Sequence, residues 1–283
     1  MSTPQELVAC VEKLASLPAI YHRIRDILDD PDSSVQQLAE TVSSDPAITA
    51  RVLRIVNSAL YGFPGKIETV VRAVNLMGMQ QIHDLILSTA VISALSSIQP
   101  PQLPLMRFWK GCVFRGLAAR SAAQRLGVGD PERLFIEGLL ADIGHLVMYQ
   151  AVPDLCRTAL EKAQSSGLPL YETEQSIIGC NHAEVGAALA SAWSLPPSFA
   201  TVIGAQLMPA LGGSHATEAA LLHVANQIQA TDEFDEPDQI ALSLLDPVAI
   251  ARLDIDASQL AAVRAQARSE SPAVIALFFP TQP

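Results

Sequence analysis

Helical periodicity is the feature of this sequence that most constrains its fold. Nearly every segment places apolar residues three or four positions apart, and alternating β-branched runs bounded by turn residues do not occur. With 49% hydrophobic and 17% charged residues, the chain is too apolar to be generally disordered. We therefore predict an all-α fold in which most helices are covered on more than one face.

Residues typical of helix ends mark where the predicted helices begin and stop. Asp45 is placed to cap a helix whose first residue is Pro46, so we predict a helix over 46–57. Gly127 is a typical C-terminal stop for a helix over 105–126. Further long helices are predicted over 80–98, 131–151, 182–193 and 214–230.

A single proline-rich stretch, "QPPQLPL" at 99–105, interrupts this pattern. Proline both ends helices and restricts the residue before it, so this stretch is the best candidate for a domain boundary. The prediction is an N-terminal helical lobe over 1–98 and a second helical lobe over 105–283.

Charge and composition exclude several functions. A formal net charge of −11 repels a phosphate backbone, so we expect no direct nucleic-acid partner. Four cysteines lie far apart, and the start of the chain has no secretory signal, so a cytoplasmic location is expected. The longest apolar stretch, which begins at Leu85, is too short to span a bilayer, so no membrane insertion is predicted.

Three blocks of the N-terminal half carry a family resemblance: "SLPAIYHRI", "SSDPAITARVLRIVNSALYG" and "AVNLMGMQQIHDLIL". In these blocks the sequence resembles the HDOD domain family, bacterial signalling modules related to the HD-domain phosphohydrolases, and the resemblance covers about residues 6–230. It implies an HDOD-type all-helical fold in which an N-terminal helical lobe packs on a degenerate HD-like lobe. It also implies a regulatory role exercised through protein contacts.

The metal ligands of the related hydrolases are mostly missing here. An HD hydrolase needs a His/Asp cluster because a divalent metal must polarise a phosphoryl oxygen and activate water. The positions that the resemblance assigns to lost ligands are Gly111, Ala141, Ala205, Gln206 and Asn226. Only Asp142 and His182 survive, and catalytic metal sites generally use three or more protein ligands. We therefore predict no enzyme activity, no metal and no cofactor, with Asp142 and His182 as vestigial ligand positions.

The two surviving residues also fit other roles. Asp142 is expected to hydrogen-bond a neighbouring group within its lobe, and His182 to be an ordinary histidine at a helix start. Alternatively, His145, one turn after Asp142, and His223, one turn before Asn226, could supply substitute ligands. The alternative function is therefore a metal-dependent phosphohydrolase, or a nucleotide-binding sensor, that uses a rebuilt cleft.

A locally basic segment is the candidate surface for partner binding. Between residues 46 and 83 the sequence has four basic residues and one acidic residue. The candidate partner-binding residues are Arg51, Arg54, Asn57, Tyr61, Lys66 and Arg72. The alternative is that the arginines are solvated or form internal ion pairs, and that Asn57 and Tyr61 shape the loop after the helix. The resemblance implies signalling partners, namely a kinase, a response regulator or a cyclic-dinucleotide enzyme.

Overall fold

A computed structural model describes residues 1–11, 17–58, 60–96 and 98–279. These residues form helices and loops and contain no strand, so the predicted all-α fold is confirmed. A 3₁₀ helix covers Pro209–His215. The α-helices are α1 (Pro4–Val11), α2 (Ala19–Asp29), α3 (Val35–Ser43), α4 (Pro46–Val56), α5 (Val70–Met77), α6 (Met79–Leu95), α7 (Leu105–Leu126), α8 (Pro131–Leu140), α9 (Ile143–Ala151), α10 (Pro153–Ser166), α11 (Leu170–Ile177), α12 (His182–Ala192), α13 (Pro197–Ala205), α14 (Ala216–Glu233), α15 (Asp238–Ser243), α16 (Pro247–Leu253) and α17 (Ala257–Phe278).

The chain divides into two compact units. The large unit comprises Met1–Ala15 and Ser97–Ser269, and the small unit comprises Ser16–Ser96 and Glu270–Pro283. The division after Ser96 lies close to the proline-rich stretch, but the grouping at the chain ends differs from the predicted lobes. Helix α1 packs against α9 and α12, and the Ser2 N–H donates to the Ile178 carbonyl at 2.7 Å. These contacts place the first residues in the large unit.

The small unit contains helices α2 to α6. The Asp45 side chain accepts hydrogen bonds from the N–H groups of Ala47 and Ile48, and Pro46 occupies the first turn of α4, as predicted. Helix α6 is buried on nearly all faces, as expected of the apolar run that begins at Leu85. Among the described helices, none combines the length and the apolar character that crossing a membrane requires.

The large unit is built around α7, α8, α12 and α14. Helix α7 ends at Gly127, which has the left-handed conformation that glycine adopts without strain, as predicted. Helices α7 and α8 pack backbone to backbone, because a Cβ atom on Gly138 would lie 2.7 Å from the Cα atom of Gly116. This close approach brings the α7 side chains up to the end of α8.

The predicted single helix over 131–151 is wrong, because the structure has two helices there. Helix α8 ends at Leu140, and α9 begins at Ile143, after a turn formed by Ala141 and Asp142. The Asp142 carbonyl accepts from the His145 N–H at 3.0 Å, a hydrogen bond one residue shorter than in an α-helix. The turn places the Asp142 carboxylate against side chains of both α7 and α9.

Candidate functional site

Five ionisable side chains form a cluster inside the large unit. Arg115 comes from α7, Asp142 from the turn between α8 and α9, and His145 from α9. Glu174 lies on α11, and His182 is the first residue of α12. We call these five residues the polar cluster. Arg115, Glu174 and His182 are buried, whereas Asp142 and His145 are half-buried.

Arg115 fixes one oxygen of the Asp142 carboxylate. Its Nη2 atom donates to Oδ2 of Asp142 at 3.0 Å and to Oε1 of Gln229 at 3.1 Å. Burial disfavours the charged carboxylate, but the Arg115 guanidinium and then His145 outweigh that effect and hold the pKa of Asp142 well below its usual range. Asp142 is therefore a carboxylate at neutral pH.

Glu174 binds both histidines of the cluster. Its Oε1 lies 2.9 Å from Nε2 of His145, and its Oε2 lies 2.9 Å from Nδ1 of His182. The His182 backbone N–H donates to the same Oε2 at 3.1 Å. Burial would raise the pKa of Glu174, but His145 and His182 together lower it, so the carboxylate is ionised and accepts hydrogen bonds from both rings.

The remaining ring nitrogens of the two histidines face Asp142. Nδ1 of His145 lies 3.2 Å from Oδ1 of Asp142, and Nε2 of His182 lies 3.9 Å from the same oxygen. The imidazole rings stack with their centroids 4.1 Å apart. Burial opposes protonation of His145, but the Asp142 and Glu174 carboxylates outweigh it and raise the pKa of His145 to about 10.

One oxygen and two nitrogens of the cluster are close enough to share a metal ion. Ligand atoms from Asp142, His145 and His182 all lie within 4.8 Å of one another. The structure thus brings together the two residues predicted as vestigial ligands, and it adds His145, which the sequence offered as a substitute.

The second substitute, His223, does not join the cluster. Its Nδ1 atom donates to the Gln206 carbonyl at 2.9 Å, and its Nε2 atom accepts from the Asp246 N–H at 3.0 Å. Burial lowers the pKa of His223, and the Gln206 carbonyl offsets this only in part, so the ring is neutral. Since both ring nitrogens are engaged, His223 stabilises the fold and has no lone pair to offer a metal.

Two further positions that the resemblance assigns to metal ligands, Gln206 and Asn226, form a network of neutral amides. Nδ2 of Asn226 donates to Oε1 of Gln206 at 2.9 Å. Nε2 of Gln206 donates in turn to the carbonyls of Ala141 at 2.8 Å and Ile203 at 2.9 Å. A catalytic centre with ligands from all the positions of the hydrolase pattern therefore does not fit these residues. Only the group of Asp142, His145 and His182 offers ligand chemistry among the described positions.

A cavity of about 300 Å³ opens onto the polar cluster from the side of α7. Its lining includes Arg107, Phe108, Gly111, Arg115, Asp142, His145, Tyr149 and Gln229. A Cβ atom on Gly111 would meet the Gln229 side chain at 3.4 Å, and Gly111 itself forms part of the cavity wall. The cavity gives small molecules access to Asp142 and His145.

Sequence reasoning missed Arg115, Glu174 and Gln229. Arg115 stands four residues after Gly111 on the same helix face, so its place beside the lost ligand could have been noticed. Glu174 belongs to a different helix from either histidine, and no sequence spacing connects it to His145. Its role depends on tertiary packing alone.

The small unit presents the predicted partner-binding residues in varied environments. Arg54 and Lys66 are exposed and line one depression together with Asn57, Leu53 and Glu68. Lys66 forms an exposed ion pair with Glu68 at 3.5 Å. The segment therefore exposes cationic side chains beside the apolar side chains of Leu53 and Ile67.

Arg51, Asn57, Tyr61 and Arg72 also make contacts within the small unit. Arg51 donates to the Thr89 carbonyl at 3.4 Å, and Arg72 donates to the Lys66 carbonyl at 3.3 Å. Asn57 joins the two ends of the loop after α4, since its amide exchanges two 2.7 Å hydrogen bonds with the backbone of Ile67. The Tyr61 ring lies parallel to that of Phe63, with centroids 6.1 Å apart.

The sequence matches the model of the HDOD domain over residues 14–209. This match covers more than half of the chain, and the chain belongs to the HDOD family. An uncharacterized protein of Treponema pallidum (strain Nichols) is 27% identical over 188 residues, which cover 66% of this chain and 36% of the relative. The present chain thus spans about a third of the length of that relative.

Solved structures share this fold. A protein of Shewanella amazonensis SB2B, provisionally described as a phosphohydrolase, superposes with a TM-score of 0.75 at 28% identity, covering 96% of this chain and 97% of that chain. An HDOD domain protein of unknown function from Geobacter sulfurreducens gives a TM-score of 0.75 at 21% identity, with 98% of both chains covered. A protein of Marinobacter aquaeolei VT8, provisionally described as a signal transduction protein, gives 0.68 at 22% identity, covering 94% of this chain and 59% of that chain.

Proposed function

We propose that the protein is a non-catalytic signal-transduction protein that acts through protein–protein contacts. The observation that carries this proposal is the Arg115–Asp142 ion pair, at 3.0 Å. Hydrolysis of a phosphoester at an HD site needs metal ions to polarise the phosphoryl oxygen and to activate water. Here a guanidinium occupies one oxygen of the central carboxylate, and Gly111, Ala141 and Asn226 supply no ligands in place of those in the hydrolase pattern.

The docking surface in this proposal is the basic segment of the small unit. Arg54 and Lys66 are exposed beside Leu53, so an acidic partner segment would find both charge complementarity and an apolar contact. The chain as a whole is acidic, which makes this local positive charge selective for such a partner. The HDOD family membership favours a signalling protein as that partner.

The cavity beside the polar cluster favours a second candidate function, binding of a small regulatory ligand. Arg107, which pairs with Glu233, and Arg115, which pairs with Asp142, place guanidinium groups in its lining, and Phe108 and Tyr149 supply aromatic surface. A nucleotide-binding sensor without hydrolysis would use this combination, because aromatic rings receive a base while cations receive phosphates.

Charge reversal tests the docking surface. The double variant Arg54→Glu, Lys66→Glu should lose affinity for a cognate signalling partner at least tenfold in surface plasmon resonance, since both side chains are exposed. The matched control is Arg157→Glu, since Arg157 is exposed on α10 of the large unit and pairs with the exposed Asp154. Equal affinity of all three proteins would remove the basic segment from the proposal.

An activity assay tests the absence of catalysis. Bis(p-nitrophenyl) phosphate with Mn²⁺ should be hydrolysed at the same background rate by the wild type and by Asp142→Ala. Metal-dependent turnover that disappears in Asp142→Ala would overturn the non-catalytic proposal and support the phosphohydrolase alternative.

A further inference from the structure

We propose that Asp142, His145 and His182 form a site for a single divalent first-row transition-metal ion, with Glu174 orienting both imidazoles. The ligand atoms are Oδ1 of Asp142, Nδ1 of His145 and Nε2 of His182. This ligand set differs from the hydrolase pattern because His145 is not among the positions of that pattern. The site stands on its own geometry and does not depend on the proposed signalling role.

The hydrogen bonds of Glu174 select the tautomers that metal binding requires. Each carboxylate oxygen accepts one ring N–H, from Nε2 of His145 at 2.9 Å and from Nδ1 of His182 at 2.9 Å. A neutral imidazole that donates from one nitrogen has its lone pair on the other nitrogen. A bound ion would displace the proton that lies between Nδ1 of His145 and Asp142, as metal binding to histidine generally does. The lone pairs of both rings would then be directed to the side where Asp142 lies. A carboxylate behind each ligating histidine is the usual outer-shell arrangement of protein metal sites.

The spacing of the ligand atoms suits a small divalent ion. Bonds of about 2.0–2.2 Å to nitrogen and oxygen in a tetrahedral site place neighbouring ligand atoms about 3.3 Å apart. Oδ1 of Asp142 lies 3.2 Å from Nδ1 of His145 and 3.9 Å from Nε2 of His182. Small side-chain rotations would bring all three atoms to bonding distance. Two imidazoles and one carboxylate favour Zn²⁺, Co²⁺, Ni²⁺ or Fe²⁺ over Mg²⁺ or Ca²⁺.

The surroundings restrict the site to one ion and leave it open on one side. A second ion would need Oδ2 of Asp142, which Arg115 already holds at 3.0 Å. The carboxylates of Asp142 and Glu174 balance the two charges of the ion, so Arg115 leaves one positive charge in excess. The cavity reaches Asp142 and His145, and an anionic group or water from that cavity would complete the coordination.

A cobalt titration of the metal-stripped protein tests this site. We expect saturable binding of one Co²⁺ per chain. Equilibrium dialysis measures the stoichiometry, and visible absorption monitors the bound ion. His145→Ala and His182→Ala should each abolish that absorption, and Glu174→Gln should weaken binding about 10- to 100-fold by releasing the rings. His22→Ala and His215→Ala are the matched controls, because neither histidine belongs to the cluster, and both should bind as the wild type does.

Several results would overturn the proposal. These are no saturable binding by the wild type, two ions per chain, or an equal loss of binding in His22→Ala. Because the alanine variants could fail to fold, circular dichroism accompanies each titration, and X-ray absorption of the Zn²⁺-loaded wild type gives an independent answer. Zinc coordination without two imidazole nitrogens would contradict the proposed ligands. If the metal-site proposal fails, the docking assays still test the signalling proposal, since those assays use variants in the small unit.

Discussion

The Arg115 guanidinium donates to Oδ2 of Asp142 at 3.0 Å, and only 5% of the Arg115 surface is exposed. Removal of one partner from a buried ion pair leaves the other charge uncompensated, which typically costs 3–5 kcal/mol. We therefore expect Arg115→Met to lower the free energy of unfolding by about 3 kcal/mol. Urea denaturation followed by circular dichroism measures this change.

Arg157→Met is the control for that measurement. Arg157 pairs with Asp154 at 2.8 Å, but both side chains are largely exposed, so water screens the pair. Its loss should change the free energy of unfolding by less than about 1 kcal/mol. If Arg115→Met were as mild as Arg157→Met, the buried pair would not be the organising contact of the polar cluster.

Helices α9 and α12 approach each other closely at Gly144. A Cβ atom there would lie 1.9 Å from the His182 carbonyl oxygen, so Gly144→Ala must push the two helices apart. We expect a loss of about 2 kcal/mol or more from overpacking, because the obstructing atom belongs to backbone that cannot rotate away. Thermal unfolding should register the loss as a lower Tm.

Gly111→Ala is the matched substitution on the same unit. Its Cβ atom would meet only the Gln229 side chain, at 3.4 Å, which is near ordinary contact distance. A helical Gly→Ala change with that much room should be neutral or stabilising by up to about 1 kcal/mol. Similar Tm values for Gly111→Ala and Gly144→Ala would contradict the close approach of α9 to α12.

The sequence could predict some parts of the fold and not others. Helix ends were predictable wherever a short-range signal marks them, as at Asp45-Pro46 and at Gly127. The turn at Asp142 was not predictable, because the sequence around it keeps helical periodicity. In the structure Asp142 pairs with Arg115 of another helix, and no local pattern reveals that pairing.

The candidate site also has residues that the sequence could predict and contacts that it could not. Asp142 and His182 were found because family positions identify them, and His145 was found because it follows Asp142 by one turn. Spacing could not separate His145 from His223, since both lie one turn from a pattern position. The structure separates them by their partners: His145 faces Asp142, whereas His223 is held by the Gln206 carbonyl and the Asp246 N–H.

Asn57 provides a test that separates loop stabilisation from partner binding. Its amide makes three hydrogen bonds of 2.7 Å, two with the Ile67 backbone and one to the Leu53 carbonyl. Asn57→Ala should lower the free energy of unfolding by about 1–3 kcal/mol, because backbone groups of the loop lose their partners. Chemical denaturation of the full chain measures it, with Arg54→Ala as the exposed control, expected to lie within about 0.5 kcal/mol of the wild type. Equal stability of the two variants would mean that Asn57 does not hold the loop.

His223 predicts a dependence of stability on pH. Burial lowers its pKa below the usual value of about 6.5, and the Gln206 carbonyl and Asp246 oppose this only in part. The unfolded chain therefore binds a proton at this histidine more readily than the folded chain does. Its stabilising contribution is present above about pH 6.5 and is lost as the pH falls through and below that value.

A substitution of His223 separates its effect on the pH dependence of stability from the effect of His145. The two effects have opposite signs. The raised pKa of His145, about 10, gives stability that is complete below about pH 6.5 and declines as the pH rises toward 10. His223→Asn retains a donor for the Gln206 carbonyl but cannot titrate. Between pH 7.5 and pH 5.5, the wild type should lose more unfolding free energy than His223→Asn in urea denaturation. Parallel pH profiles for the two proteins would show that the pKa of His223 is the same in the folded and unfolded chains, which would contradict the lowered pKa.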